Sequence, residues 1–207
     1  MIGWYDWAGG REAMLRFGPA DGPVVVAAMP LLEEWNRTRA FVVTLLRALA
    51  DRSIASMLPD LPGHGESLAP LLDLRDARAA FAAAAALHER SVFTLSVRGG
   101  ALLDDQASPV ARWQLSPATG SELVQDLRRV HLARGTGPAL PASLVASLAG
   151  AEPASGARVV RLASDPRPAD RHFDGPPLWR RAEPGNDAAL AAVLADDIAA
   201  WIGRCVA

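Results

Sequence analysis

The chain has 207 residues, half of them hydrophobic, which is enough to bury one substantial core without a second domain. Its formal net charge is −2, and all 21 basic residues are arginines scattered among 23 acidic ones, which argues against the basic stripe of a nucleic-acid binder or a membrane-surface protein. A lone cysteine, Cys205, cannot close an intrachain disulfide or supply a cysteine-based zinc site, and no metal or cofactor is expected. Met1 to Gly10 carries Trp4, Tyr5 and Asp6 where a signal peptide needs a basic and then an apolar run. The longest uncharged stretch, Gly135 to Ala151, is interrupted by Pro138 and Pro141 and is too short to span a bilayer, so a cytoplasmic protein is expected. Glu12 to Phe17 reads as a strand, and Pro19 to Pro23 as a turn. Val24 to Met29, with three adjacent valines, has the pattern of a strand buried on both faces. A helix from about Glu34 to Asp51 places Phe41, Leu45 and Leu49 on one apolar face. Ile54 to Leu58 is a second buried strand, followed by an alanine-rich helix from about Leu72 to His88 and a third strand at Ser91 to Leu95. A helix should begin near Gly99, a strand lies around Arg112 to Leu115, and a helix spans Ser121 to Ala133. Residues 135–156, rich in Ala, Pro and Gly, read as a short lid. Ala157 to Ala163 is the last central strand, Leu178 to Arg181 an edge strand, and Asp187 to Val206 a closing helix. Strands alternating with helices predict a single domain over 1–207, a mostly parallel sheet with helices on both faces.

In such a sheet ligands bind outside the carboxyl ends of the strands, so the residues just after each strand carry the function. Asp60-Leu61-Pro62-Gly63-His64-Gly65-Glu66-Ser67 follows the second buried strand and resembles the D-x-x-G-x-G-x-S turn of α/β hydrolases. Leu95 to Leu103 stands where that family places its nucleophile elbow, a strained strand-to-helix turn needing tiny residues two before and two after the nucleophile. Centring the elbow on Arg98 puts Ser96 and Gly100 at those positions, whereas centring it on Ser96 puts Thr94 and Arg98 there. Arg98 is therefore expected at the apex, and a guanidinium that stays protonated cannot attack a carbonyl. The resemblance places Asp165, in Ser164-Asp165-Pro166, at the triad acid and Asn186, in Gly185-Asn186-Asp187, where the histidine belongs. Asparagine cannot serve as a general base near neutral pH.

A closer resemblance covers most of the chain. Pro30, the Glu33-Glu34-x-Asn36-x-x-Arg39 run, the arginine-centred elbow followed by Ala101-Leu102-Leu103, Trp113-Gln114 and Pro177-Leu178-Trp179 look like the second-type hydrolases associated with the exosortase A system. That resemblance implies a bacterial protein linked to exopolysaccharide export, with the fold implied more than an activity. The turn at Gly63-His64-Gly65-Glu66 departs from the G-C-G-D expected there, and the chain is shorter.

Two readings of Arg98 stand side by side: an anion clamp, helped by the N–H groups of the helix opening at Gly99, or a salt bridge to Asp165 that locks the site. Glu34, Asn36 and Arg39 either line the pocket, in the loop that normally lends an oxyanion-hole donor, or serve locally through capping by Asn36 and a Glu33 to Arg37 pair. The expected ligand set is Glu34, Asn36, Arg39, Ser96, Arg98 and Gly99 around a small acidic or carbonyl-bearing molecule, with little or no turnover. The alternatives are an active hydrolase of an ester, thioester or amide, using Ser96 or a water near His64 with Asp165, and a non-catalytic protein partner using 135–156. A homodimer stays open.

Overall fold

The computed structural model describes residues 1–88, 91–134 and 140–206, and for 130–134 the backbone alone. Eight strands form one sheet in the order β1-β2-β4-β3-β5-β6-β7-β8, with β1 (Ile2–Trp7), β2 (Gly10–Phe17), β3 (Val24–Ala28), β4 (Ala55–Pro59), β5 (Val92–Val97), β6 (Ala111–Leu115), β7 (Arg158–Leu162) and β8 (Arg171–Phe173). The β1–β2 and β2–β4 pairings are antiparallel, and all others are parallel. β3, β4 and β5 are buried at every position because helices cover both faces.

Strand periodicity divides the core in two. Val25 and Ala27 point with Phe93, Leu95 and Val97 toward α1 (Glu33–Ala50) and α5 (Ala188–Val206), where Phe41, Leu45, Leu49, Leu194 and Ile198 close the layer. Val24, Val26 and Ala28 point to the opposite side, toward Leu74, Ala77 and Phe81 of α2 (Leu74–Ala86), Leu123 of α3 (Gly120–Arg134) and Leu144 and Leu148 of α4 (Ala142–Ala149). The described part of the segment expected as a lid thus contains α4, packed beside α2 and α3; residues 135–139 lie outside the described residues.

Two local expectations are corrected, and one strand was not anticipated. The residues after β5 form only a short 3-10 helix, Arg98–Leu102, because Asp104 is drawn back under β5, its Oδ2 accepting from the hydroxyls of Thr94 and Ser96 at 3.1 Å each. Leu178–Arg180 is likewise a 3-10 helix behind Pro176 and Pro177, and the edge strand is β8 instead. β1 is an additional edge strand, joined to β2 across Ala8-Gly9.

Candidate functional site

The carboxyl ends of the central strands carry unusual backbone. Among the described residues, four non-glycines have positive φ, and three of them follow adjacent strands: Leu32 (φ 63°) after β3, Arg98 (φ 53°) after β5 and Ser116 (φ 46°) after β6. Left-handed backbone costs an L-residue about 1–3 kcal/mol and clusters at functional sites. The turn at Arg98 is tight because Gly100 packs against the end of β3, where a Cβ would collide with the carbonyl oxygens of Ala28 and Met29. A side chain at Gly99 would meet Leu123 on α3.

Arg98 is buried, and its partners are not the expected one. Its Nε and Nη2 lie 3.2 Å from the two different carboxylate oxygens of Glu34, a two-point fork between elbow and α1. Its Nη1 donates to the Ser116 carbonyl at 3.4 Å, Asp126 of α3 stands 3.9 Å from Nη2, and the Trp179 ring faces the guanidinium at 5.3 Å. Burial raises the pKa of Glu34, and the Arg98 charge pulls it down without fully offsetting that.

The Arg98 to Asp165 lock is therefore overturned. Asp165 is gripped by nearer arginines: the Arg167 Nη2 at 2.8 Å and the Arg161 Nη1 at 2.9 Å. The Arg167 hydrogen bonds, with Arg161, hold its carboxyl well below the usual range, while Arg167 also reaches Glu122 at 2.7 Å.

The remaining expected residues scatter. Asn36 is exposed inside α1, which starts at Glu33, so it caps nothing; the local Glu33 to Arg37 pair is present at 2.8 Å. Arg39 turns away to Asp60 at 3.3 Å and lies over Trp35 at 4.8 Å. Ser96 is fully buried beneath the elbow, with its hydroxyl on Asp104, and Asn186 is exposed, with its Nδ2 donating to the Thr44 hydroxyl at 3.1 Å.

His64 has both ring nitrogens engaged. Its Nε2 accepts the Leu32 N–H at 3.0 Å, which leaves Nδ1 to donate to the Pro62 carbonyl at 3.1 Å. Burial lowers its pKa and keeps it neutral, as an acceptor must be. A backbone donor from the β3–α1 loop, the type that serves an oxyanion hole, is thereby consumed.

A cavity of about 490 Å³ opens beside the pair. Glu34, Asp126, Arg37 and Arg180 give it charged walls, and Leu31, Leu123, Leu127 and Trp179 apolar ones. Of the expected ligand set only Glu34 is among the residues that line it; Asn36, Arg39, Ser96, Arg98 and Gly99 are not, and Arg98 meets the cavity only through its contact with Glu34. Trp179 and Asp126 were not singled out as site residues by sequence; the Pro-Pro punctuation before Trp179 marks a loop returning to the sheet edge, and nothing local marks Asp126.

The comparisons bear on this arrangement at the level of architecture. A hydrolase-named crystal structure from Agrobacterium vitis superimposes with a TM-score of 0.61 across 100% of this chain and 98% of that one, at 13% identity. The fold is that of the α/β hydrolases. The bottromycin epimerase BotH, solved in complex with bottromycin A2, matches with a TM-score of 0.55 over 99% of both chains at 15% identity. An epoxide hydrolase from Vigna radiata matches 56% of this chain at 22% identity with a TM-score of 0.46, and the match spans only 39% of that enzyme's length. No family model and no curated protein matches the sequence. Among the described residues no helix is long and apolar enough to cross a membrane.

Proposed function

We propose that this protein is a non-hydrolytic member of the α/β-hydrolase fold whose cavity binds a small acidic or carbonyl-bearing ligand with little or no turnover. One observation carries the reading: the apex of the elbow after β5 is a guanidinium whose partners are a carboxylate, a carbonyl and an indole, and among the described residues neither a hydroxyl nor an imidazole is bonded to it. Acyl transfer needs a nucleophile and a base that takes its proton. Ser96 and His64, the substitutes weighed from sequence, are buried and committed to Asp104, Leu32 and Pro62. Cation, carboxylate and apolar wall in one cleft suit recognition of a polar head on a small organic molecule. A bacterial setting linked to exopolysaccharide export belongs to this reading on motif resemblance alone.

A fluorophosphonate probe followed by peptide mass spectrometry tests it, alongside p-nitrophenyl ester assays. The expected result is no labelled serine and no ester cleavage above that of the Arg98→Ala variant. Labelling of Ser96, or turnover that Arg98→Ala abolishes, would overturn it.

A further inference from the structure

The guanidinium at the elbow already holds a carboxylate, and the geometry is the one an incoming acid would use. The fork from Nε and Nη2 to Glu34 occupies one edge of Arg98. Elsewhere on the guanidinium, Nη1 donates to the Ser116 carbonyl and the Trp179 ring lies 5.3 Å from the central carbon. Glu34 is a lining residue and Arg98 is not, so the carboxylate of Glu34 stands between this edge and the cavity, and its departure is what would open the edge to a ligand.

Charge decides what can enter. Arg98 is balanced by Glu34, and Asp126 adds a second carboxylate at 3.9 Å, itself paired with Arg129 at 3.1 Å. Adding an anionic ligand without removing a charge would crowd three carboxylates around one guanidinium in a partly desolvated cleft. The groups that face or border Glu34 are Arg98 from the elbow, Asp126 and Arg129 from α3, Arg37 from its own helix and Arg180 beside Trp179. Arg37 is engaged by Glu33 and by the Trp179 carbonyl, so it offers Glu34 no vacant partner. Protonation would release Glu34 from the fork without leaving its charge unpaired, and burial already favours its neutral form.

We propose that the cavity binds small monocarboxylic acids with an apolar body by exchange: the ligand carboxylate takes the Arg98 edge, and Glu34 leaves it carrying one proton drawn from solvent. The charge of the site is then the same before and after binding. Leu31, Leu123, Leu127 and Trp179 offer the ligand body an apolar wall, and about 490 Å³ accommodates an acid of hexanoate or benzoate size. This rests on the elbow being a ligand site, and it adds the ligand class and a proton requirement.

Isothermal titration of the wild-type protein with hexanoate and benzoate, in paired buffers of unlike ionisation enthalpy at about pH 6 and about pH 8, reads the proton directly. Uptake approaching one proton per ligand is expected, with affinity falling about tenfold per pH unit above the Glu34 titration, and no binding of hexanamide. Glu34→Gln should bind both acids at the higher pH more tightly than the wild type and take up no proton. Carboxylates that bind the wild type without proton uptake, or a Glu34→Gln variant that keeps the pH slope, would overturn the exchange while leaving the ligand site standing. Failure of both acids to bind either protein overturns the exchange and the ligand site together. The paired-buffer measurement needs no variant, so a Glu34→Gln chain that does not fold leaves the decision intact.

Discussion

Removing the Arg98 guanidinium should expose how much the fold depends on the Glu34 pair, and the structure sets the scale. Breaking a buried ion pair by deleting one partner costs about 3–5 kcal/mol, because the surviving charge is left desolvated. Here the side chains are 8% and 15% exposed and one side faces a cavity, so Arg98→Ala should cost about 2–3 kcal/mol. For a domain of this size that corresponds to roughly 4–12 °C in Tm. Alanine keeps the left-handed backbone at φ 53°, so no strain relief offsets the loss. Glu34→Ala should cost less, about 1–2 kcal/mol, since Arg98 retains Trp179, the Ser116 carbonyl and Asp126. The double variant should fall short of the sum by about 1–2 kcal/mol in urea unfolding. The pH dependence has a definite sign. Glu34 titrates above its ordinary range in the folded protein, so its ionisation weakens the fold as pH rises. Without Arg98 its pKa climbs further, and the deficit of Arg98→Ala should grow from about pH 5 to about pH 8. Additive costs, or a deficit that does not change with pH, would refute this account of the pair.

Two more outcomes follow from buried groups elsewhere. Asp197 on α5, 3% exposed in its side chain, accepts from the Trp113 Nε1 at 3.0 Å, Arg158 at 2.8 Å and Arg171 at 3.1 Å, tying α5 to β6, β7 and β8. Asp197→Ala should cost about 3–5 kcal/mol by denaturant unfolding, well above the roughly 0.5 kcal/mol expected for an exposed neighbour such as Asp196→Ala. Burial alone would raise the Asp197 pKa, but the hydrogen bonds from Arg158 and Trp113 leave it lowered; its contribution is complete above the unfolded carboxylate range and is lost as pH falls through the lower folded value. His64, whose pKa is lowered by burial, contributes with full strength above the ordinary 6.5 and loses that contribution as pH falls below it, because the charged ring cannot accept the Leu32 N–H. Melting temperatures across that window should therefore drop less steeply in His64→Gln than in the wild type; parallel curves would count against the role given to His64.

The layer order was legible wherever one physical signal dominated. Val24 to Val26 announce a strand buried on both faces, and Phe41, Leu45 and Leu49 mark the inward stripe of α1, because burial of apolar surface outweighs everything else at those positions. β1 escaped because an edge strand has little burial to impose a pattern: Ile2 and Trp4 are exposed and only Tyr5 is fully covered. The steric argument from Ser96 and Gly100 places Arg98 at the turn, and the turn does have left-handed backbone there. What Arg98 touches was not legible. Glu34 lies 64 positions away and was not anticipated as a partner, while Asp165, the expected one, is claimed by the nearby Arg161 and Arg167. The local partners of Asp165 stand two and four positions from it, whereas the pairing of Arg98 with Glu34 joins different elements and depends on which group lies nearest after folding, which sequence spacing does not record.

The neighbouring indole and forked carboxylate around Arg98 have a bearing on any attempt to install esterase chemistry here. Writing a serine into the turn strands Glu34 and leaves Trp179 facing an empty space, so the first step lowers stability before any catalysis can be gained. A workable redesign would have to alter three separate elements at once, which makes this constellation resistant to stepwise conversion by single substitutions.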